Sequence, residues 1–476
     1  MVDKYGKING RNDYNMSIIK AYTLPHPPLA VPSVGHGQEK EIQSTLDAMY
    51  AVGDEIAEIA PETIIYITPH CSVHTDHFHI SPGSVAYGDL GRFNAPDVKI
   101  KTHYDEDLIR EISRIAEYND ISAGTHGETD ARLDHGVTVP MWFINQRYSD
   151  YNSVRVSQST MAPSEHYLLG QILAKAVETT GRRTVVIASS DLSHKLLSGG
   201  PYGFAPEGPR FDTALTDALT KGDFLALLKI PDELRVRAAE CGYNSLMILA
   251  GCFDKKDVDS KLMSYEGPFG VGYAVASFTP GRENEARNIL EQYVEHALKA
   301  SNERRNAEDR HQELARQSLE HIITTGEKLP IPNGLPDELL KEEAGVFVSI
   351  HKNNRLRGCV GTIAPTTPNV AQEIVQNAIS AGLSDNRFAP VAAEELPYLT
   401  YKVDVLSAPE SISGPEQLDV RRYGVIVTSG SKRGLLLPNL DGVDTVGEQI
   451  NIARQKADIS EDESYELERF EVIRHE

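Results

Sequence analysis

Three short apolar runs, each followed closely by a histidine, constrain the fold of this chain more than any other feature. SIIKAYTL (17–24) leads into Pro25-His26, ETIIYIT (62–68) into Pro69-His70, and RTVVIAS (183–189) into SDLSH, which ends on His194. Runs this short and this rich in β-branched residues read as buried strands. Helical patterns separate them. From Gln38 to about Ala60, Ile42, Leu46, Met49, Ile56 and Ile59 recur near helical spacing, and residues 164–180 repeat the pattern. A further helix is expected from Cys241 to about Phe253, and a late strand at VGYAVASF (271–278). Such alternation specifies an α/β sandwich, a sheet with helices on both faces. Strand order and direction stay open. If the three strands are neighbours running the same way, their histidines meet at one edge, where open α/β sheets bind ligands.

A chain of 476 residues exceeds what one ordinary core supports. Residues 1–16 form a polar leader without the apolar centre of a signal peptide, and 17–281 form the α/β domain. The pattern breaks after Thr279-Pro280-Gly281. A charged helical linker (282–308) follows, then a smaller α+β domain (309–476). In that domain residues 345–362 read as a hairpin turning at Lys352-Asn353-Asn354, with a helix near 368–381 and strands near 399–406 and 423–428. No run approaches the ~18 apolar residues of a membrane helix, so the cytoplasm is the expected location. A formal charge of -22 argues against nucleic acid or an anionic membrane as partner, because both need clustered Lys and Arg. Cys71, Cys241, Cys252 and Cys359 are scattered, with no CxxC pair, which excludes a disulfide framework or zinc ribbon. No P-loop or dinucleotide fingerprint is present.

Of 16 histidines, eleven precede residue 195. Imidazole is the commonest metal ligand, so the chemistry is sought there. The segment AAECGYNSL (238–246) adds Glu240 and Cys241 at a probable helix start. Two histidines and a carboxylate make the facial set that holds ferrous iron with open positions; two histidines and a thiolate make a softer set suited to zinc or copper.

The ordered elements PHPPLAVPSVGHGQE (25–39), TPH (68–70), LDHG (133–136), SSDLSH (189–194) and ECG (240–242) resemble the class III (LigB-type) extradiol dioxygenase catalytic-subunit superfamily, which includes the Memo proteins. The resemblance spans roughly 17–280. It implies His26 and His70 as metal ligands, His194 as the catalytic histidine with Asp191 orienting it, and His135 as a contact to substrate or bound oxygen. For the third ligand it leaves Glu240 and Cys241 both open, since Memo-type proteins carry a Cys-Gly that aligns with Cys241-Gly242. It further implies Fe(II), with zinc or copper as alternatives, and a catechol-type aromatic diol and O2 as substrates. The Memo-like alternative is a metal-binding or redox protein that cleaves no ring.

Each residue also has an ordinary structural reading. A histidine at a strand end is commonly a hydrogen-bonded surface residue, and Asp191 with its serines can simply cap a turn. His36 lies in a flexible loop. His74, His77 and His79 look like a metal tract but are expected as solvent-facing strand residues. Cys71 and Cys252 read as small buried hydrophobes.

In the second half LRGCVGT (356–362), SDNRFAPV (384–391), EELPYLTYKVDVLSAPE (394–410) and GLLLPNL (434–440) resemble the AMMECR family, over roughly 309–476. That resemblance implies a fold and no reaction. Cys359 between glycines is expected as a packed residue rather than a reactive thiol. Arg357, Asp385 and Arg387 form either a polar groove or a structural ion-pair network. The fusion is similar to proteins whose halves occur beside a radical SAM enzyme, which implies such an enzyme as a partner.

Overall fold

The structure, a computed structural model, describes residues 18–352, 355–440, 442–460 and 462–476. The polar leader and the Asn353-Asn354 turn lie outside the described residues. Two compact units divide between Val294 and Glu295, inside the stretch expected as linker.

Among its described residues the first unit contains ten strands: β1 (Ile18–Leu24), β2 (Thr63–Thr68), β3 (Phe78–His79), β4 (Val85–Leu90), β5 (Ala95–Tyr104), β6 (Ala123–Gly124), β7 (Asn152–Ser157), β8 (Thr184–Ser189), β9 (Lys256–Glu266) and β10 (Tyr273–Glu283). Eight of them form one sheet in the order β4-β5-β7-β2-β8-β1-β10-β9. The five central strands run parallel, and β4, β9 and β10 pair antiparallel at the edges. Every residue of β2 and β8 is buried, as strands covered on both faces must be. The short strands β3 and β6 pair separately.

Helices Gln43–Ile59 and His135–Asn145 pack together as one covering layer; Glu106–Tyr118, Pro163–Thr180 and Tyr243–Gly251 make the other. Within the second layer two glycines let helices approach at backbone distance. A Cβ on Gly251 would lie 1.9 Å from the Tyr167 carbonyl oxygen, and one on Gly170 would lie 2.0 Å from that of Ile248. Ridges cannot interlock that closely with any side chain between them. The Tyr243–Gly251 helix is thereby pinned against its neighbour, directly behind Cys241.

Four sheet strands escape the sequence reading. Strands β4, β5 and β9 are edge or near-edge strands with alternating burial rather than continuous apolar runs. Strand β7 is central, but Arg155 interrupts it. The late strand also runs past residue 281, through Pro280 to Glu283, with a register shift there.

The second unit carries β11 (Val346–Lys352), β12 (Arg355–Gly361), β13 (Leu399–Leu406), β14 (Glu410–Ile412), β15 (Tyr423–Ser429), β16 (Lys432–Leu436) and β17 (Glu466–His475) in an antiparallel sheet ordered β12-β11-β13-β17-β15-β16, with β14 on β17. Helices Arg310–Thr325 and Val370–Leu383 supply Leu314, Leu319, Ile374 and Ala378 to its core. Cys359 is half-buried, its sulfur accepting from Ser349 Oγ at 3.2 Å. Arg357 and Arg387 do not share a groove network: Arg357 pairs with Glu395, and Arg387 with Asp385.

Candidate metal centre

Strands β1 and β2 flank β8, and all three are parallel, so their C-terminal ends open on one edge. His26 and His70 each follow their strand by two residues. Their Nε2 atoms face each other at 3.0 Å, and Cys241 Sγ lies 3.5 Å from His26 Nε2. The three donor atoms all lie within 4.8 Å of one another. Bonds of about 2.0–2.1 Å to nitrogen and 2.3 Å to sulfur, arranged tetrahedrally, separate ligand atoms by about 3.3–3.6 Å. The set therefore fits a single ion.

The tautomer of His26 follows from a proline five residues into the neighbouring helix. In His135–Asn145 the Gly136 carbonyl would ordinarily accept from the N–H of residue 140, but that residue is Pro140. Ser189 Oγ fills the vacancy, donating to the Gly136 carbonyl at 2.5 Å. Its single hydrogen is thereby committed, so at 2.8 Å from His26 Nδ1 it can only accept. His26 then carries its proton on Nδ1 and presents the Nε2 lone pair to the site, as a metal-ligating imidazole must.

Cys241 is held by its own neighbours. Gln158 Nε2 donates to its carbonyl at 3.0 Å and to Ser245 Oγ at 2.7 Å. Gly242 allows the approach to the β8 loop, because a Cβ there would sit 2.4 Å from Ser190 Cα. The Glu240 carboxylate is engaged elsewhere: it accepts from the Tyr243 N–H at 2.7 Å and pairs with Arg235 at 3.4 Å. Of the two candidates for third ligand, the structure brings Cys241 and not Glu240 to the histidines.

Asp191 does not orient His194. Its Oδ1 accepts from the His26 N–H at 2.8 Å and its Oδ2 lies 3.7 Å from His26 Nε2, so it braces a ligand histidine instead. Burial pushes its carboxyl up to about 7. His194 packs on Tyr202 with ring centroids 4.9 Å apart, and its buried Nε2 has no hydrogen-bond partner among the described residues. Burial lowers its basicity, and its ring is near enough to disfavour charge on His26 and His70.

His135 occupies the first position of its helix and stacks on His70 with centroids 4.2 Å apart. Thr68 ties the two together: it accepts from the His70 N–H at 3.2 Å and donates to Asp134 Oδ1 at 2.6 Å. Burial holds both His70 and His135 down at about 4, helped at His135 by the Arg92 charge. His26 is held well below its ordinary value by burial and the neighbouring histidines. These imidazoles are neutral at pH 7, with lone pairs free to bind. The Cys241 thiol is pushed well up by burial and by Asp191 and Glu240, so a bound cation is what makes its thiolate accessible.

A cleft of about 400 Å³ opens beside this cluster, with His70, His135, Phe93, Arg92 and Arg132 among its walls. Arg155, missed in the sequence because a charged residue breaks the apolar run of β7, is 1 % exposed at its base. It donates to Ser81 Oγ, the carbonyls of Arg132 and Asp130, and Glu128. Cys71 is half-buried on the same cleft rather than a core residue.

The second histidine group is also not solvent-facing. His77 and His79 are buried, His77 stacks between His74 and His126, and His79 Nδ1 bonds the His126 carbonyl. His77 Nε2 and His79 Nδ1 meet at the His126 carbonyl and His74 Nε2 at that of Gly127, so these nitrogens are taken up by backbone oxygens rather than left open to an ion.

The family model for the catalytic LigB subunit of aromatic ring-opening dioxygenase matches residues 20–276, and the AMMECR1 model matches 312–475. A Clostridium acetobutylicum protein, CA_C1420, is 41% identical over 471 residues, covering 97% of this chain and 99% of its own. A Thermotoga maritima protein is 47% identical over 159 residues, covering 33% of this chain and 91% of its own. Among solved structures, an uncharacterized Pyrococcus horikoshii protein, PH0010, shares 33% identity over 34% of this chain and 88% of its own, with a TM-score of 0.32. The chain belongs to the LigB family of aromatic ring-opening dioxygenase catalytic subunits, with an AMMECR1 domain joined behind it.

Proposed function

We propose that the first unit is a non-haem, metal-dependent oxidoreductase of the extradiol type, with His26, His70 and Cys241 holding the ion and a catechol-type diol and O2 as substrates. The observation that carries this reading is the meeting of His26, His70 and Cys241 with His135 beside a cleft of about 400 Å³, a volume suited to a small molecule. When bound, a ferrous ion would supply Lewis acidity toward the diol oxygens and redox access to O2.

The remaining chemistry belongs to the side chains. His194, neutral and with a free Nε2, accepts a proton from a substrate hydroxyl and returns it later. His135 stabilises negative charge that develops on oxygen, supported by the positive end of its eleven-residue helix. Phe93, 5.4 Å from the His135 ring centroid, offers an apolar edge for an aromatic substrate. The test is anaerobic purification, ferrous reconstitution and oxygen uptake with a panel of catechols. Uptake with a ring-opened product, abolished in His70→Ala and His194→Ala, is the expected result.

A second reading rests on the identity of the third donor. A thiolate is softer than a carboxylate and favours zinc or copper, which suits a Memo-like metal-binding protein that cleaves no ring. Stoichiometric metal lost in Cys241→Ser, with no uptake on any catechol, would decide for it.

A further inference from the structure

We propose a second transition-metal site, in the second unit, with Asp309, His311 and His475 as ligands and zinc(II) as the occupant that fits it best. This site does not depend on the function proposed for the first unit.

The ligands come from opposite ends of that unit. Asp309 is the N-cap of helix Arg310–Thr325: its Oδ1 accepts from the N–H groups of His311 and Gln312 at 2.9 and 3.0 Å, while Gln312 returns a bond to the Asp309 N–H. The cap commits Oδ1 to the helix and leaves Oδ2 turned toward His475, whose Nδ1 bonds it directly. His475 ends β17 and is held in register against Val403. His311 stacks on it with centroids 3.7 Å apart and planes inclined by 16°. The His311 Nδ1 stands 3.9 Å from Asp309 Oδ1, beyond hydrogen-bond reach. The donor atoms of all three residues lie within 4.8 Å of one another.

Two parallel imidazoles this close oppose double protonation, so at least one ring keeps a lone pair beside the carboxylate. His311 is the buried member of the pair, and burial together with His475 lowers its basicity. An N2O donor set with a partly exposed fourth side suits zinc, nickel or copper and not calcium or magnesium, which take oxygen ligands. The ion would take the place of the direct bond between His475 Nδ1 and Asp309 Oδ2. The cap bonds on Oδ1 remain, and they orient the carboxylate from behind. The ion would join the last strand of the unit to the start of its first core helix.

The experiment is titration of the metal-free full chain with zinc(II) against a chromophoric chelator, repeated with cobalt(II) and followed by its visible absorption. His475→Gln and Asp309→Asn are the variants. Asparagine caps a helix as well as aspartate does, so the second variant tests the charge without removing the cap. Circular dichroism and the metal-free melting temperature control for folding. The expected result is one equivalent that survives in Cys241→Ser and is lost, or weakened about 10-fold or more, in His475→Gln and Asp309→Asn. If both variants bind zinc with wild-type stoichiometry and affinity, the site does not exist. If the wild type binds one equivalent and Cys241→Ser removes it, the proposal is also overturned, and the first site stands alone.

Discussion

Replacing Ser189 by alanine removes one hydroxyl and leaves two buried groups without partners. The Gly136 carbonyl loses its donor, and Pro140 cannot replace it from within the helix. The His26 Nδ1–H loses its acceptor. One unsatisfied buried backbone group costs about 1–3 kcal/mol, so Ser189→Ala should lower the unfolding free energy of the metal-free first unit by about 2 kcal/mol. The second loss acts on function. Without Ser189, His26 can take its proton on Nε2, and loss of a partner behind a ligand histidine weakens metal binding by about 10–100-fold. The assay is urea unfolding followed by Trp142, the single tryptophan, which lies on the same helix as Gly136. Chelator competition gives metal affinity, and nitrogen-15 shifts of the histidines report the tautomer directly. Ser190→Ala is the internal control: the Ser190 Oγ is buried without a partner among the described residues, so its removal should cost nothing measurable. If Ser189→Ala and Ser190→Ala are equally stable, and His26 keeps its Nδ1 proton in both, the relay from Pro140 is refuted.

Two further outcomes follow from the packing. Gly251→Ala places a methyl 1.9 Å from the Tyr167 carbonyl oxygen, where only backbone movement can relieve it; a loss of about 1–3 kcal/mol is expected, read as a lowered urea midpoint, and an unchanged midpoint would show the helices free to separate. His166 is buried, accepts from the Ser159 N–H and is held down at about 4 by burial. Its folded pKa lies below the unfolded value of about 6.5, so the unfolded chain takes up the proton first as pH falls. The contribution is intact above that pH and is lost progressively toward 4, by about 2 kcal/mol at pH 5. Urea midpoints at pH 7.5 and pH 5 should therefore converge in His166→Gln relative to wild type, and identical slopes would sink the assignment.

The strands that build the histidine edge were legible because short, continuous β-branched runs mark strands buried on both faces. The hairpin of the second unit was legible in the same way, whereas the order and direction of the strands stayed open until β8 was seen to pair in parallel with β1 and β2. What stayed hidden depends on side-chain direction. Glu240 and Cys241 are adjacent, and only the turn before Tyr243–Gly251 decides which faces His26 and which faces Arg235. The resemblance implied Asp191 as the partner of His194, whereas β1 and β8 being neighbours gives it to His26. The alternation in β5, with Val98, Ile100 and Thr102 inward and Lys99, Lys101 and His103 outward, was present but passed over. Arg155 shows the opposite problem: a buried guanidinium looks like a surface residue until Glu128 and the carbonyls around it are placed.

The position of β1 has a consequence for biogenesis. Strand β1 pairs with β8 on one side and with residues 276–278 of β10 on the other, so it is enclosed only after those residues have been synthesised. His26 and Cys241 are 215 residues apart, and closing so long a loop slows folding more than it weakens the product. An ion at the proposed site would then load late, in chains that have already completed the sheet. Nascent or truncated chains would hold at most the His26 and His70 pair, too few donors to retain an ion against cellular chelators. Metal at the proposed site would then serve as a record of finished folding.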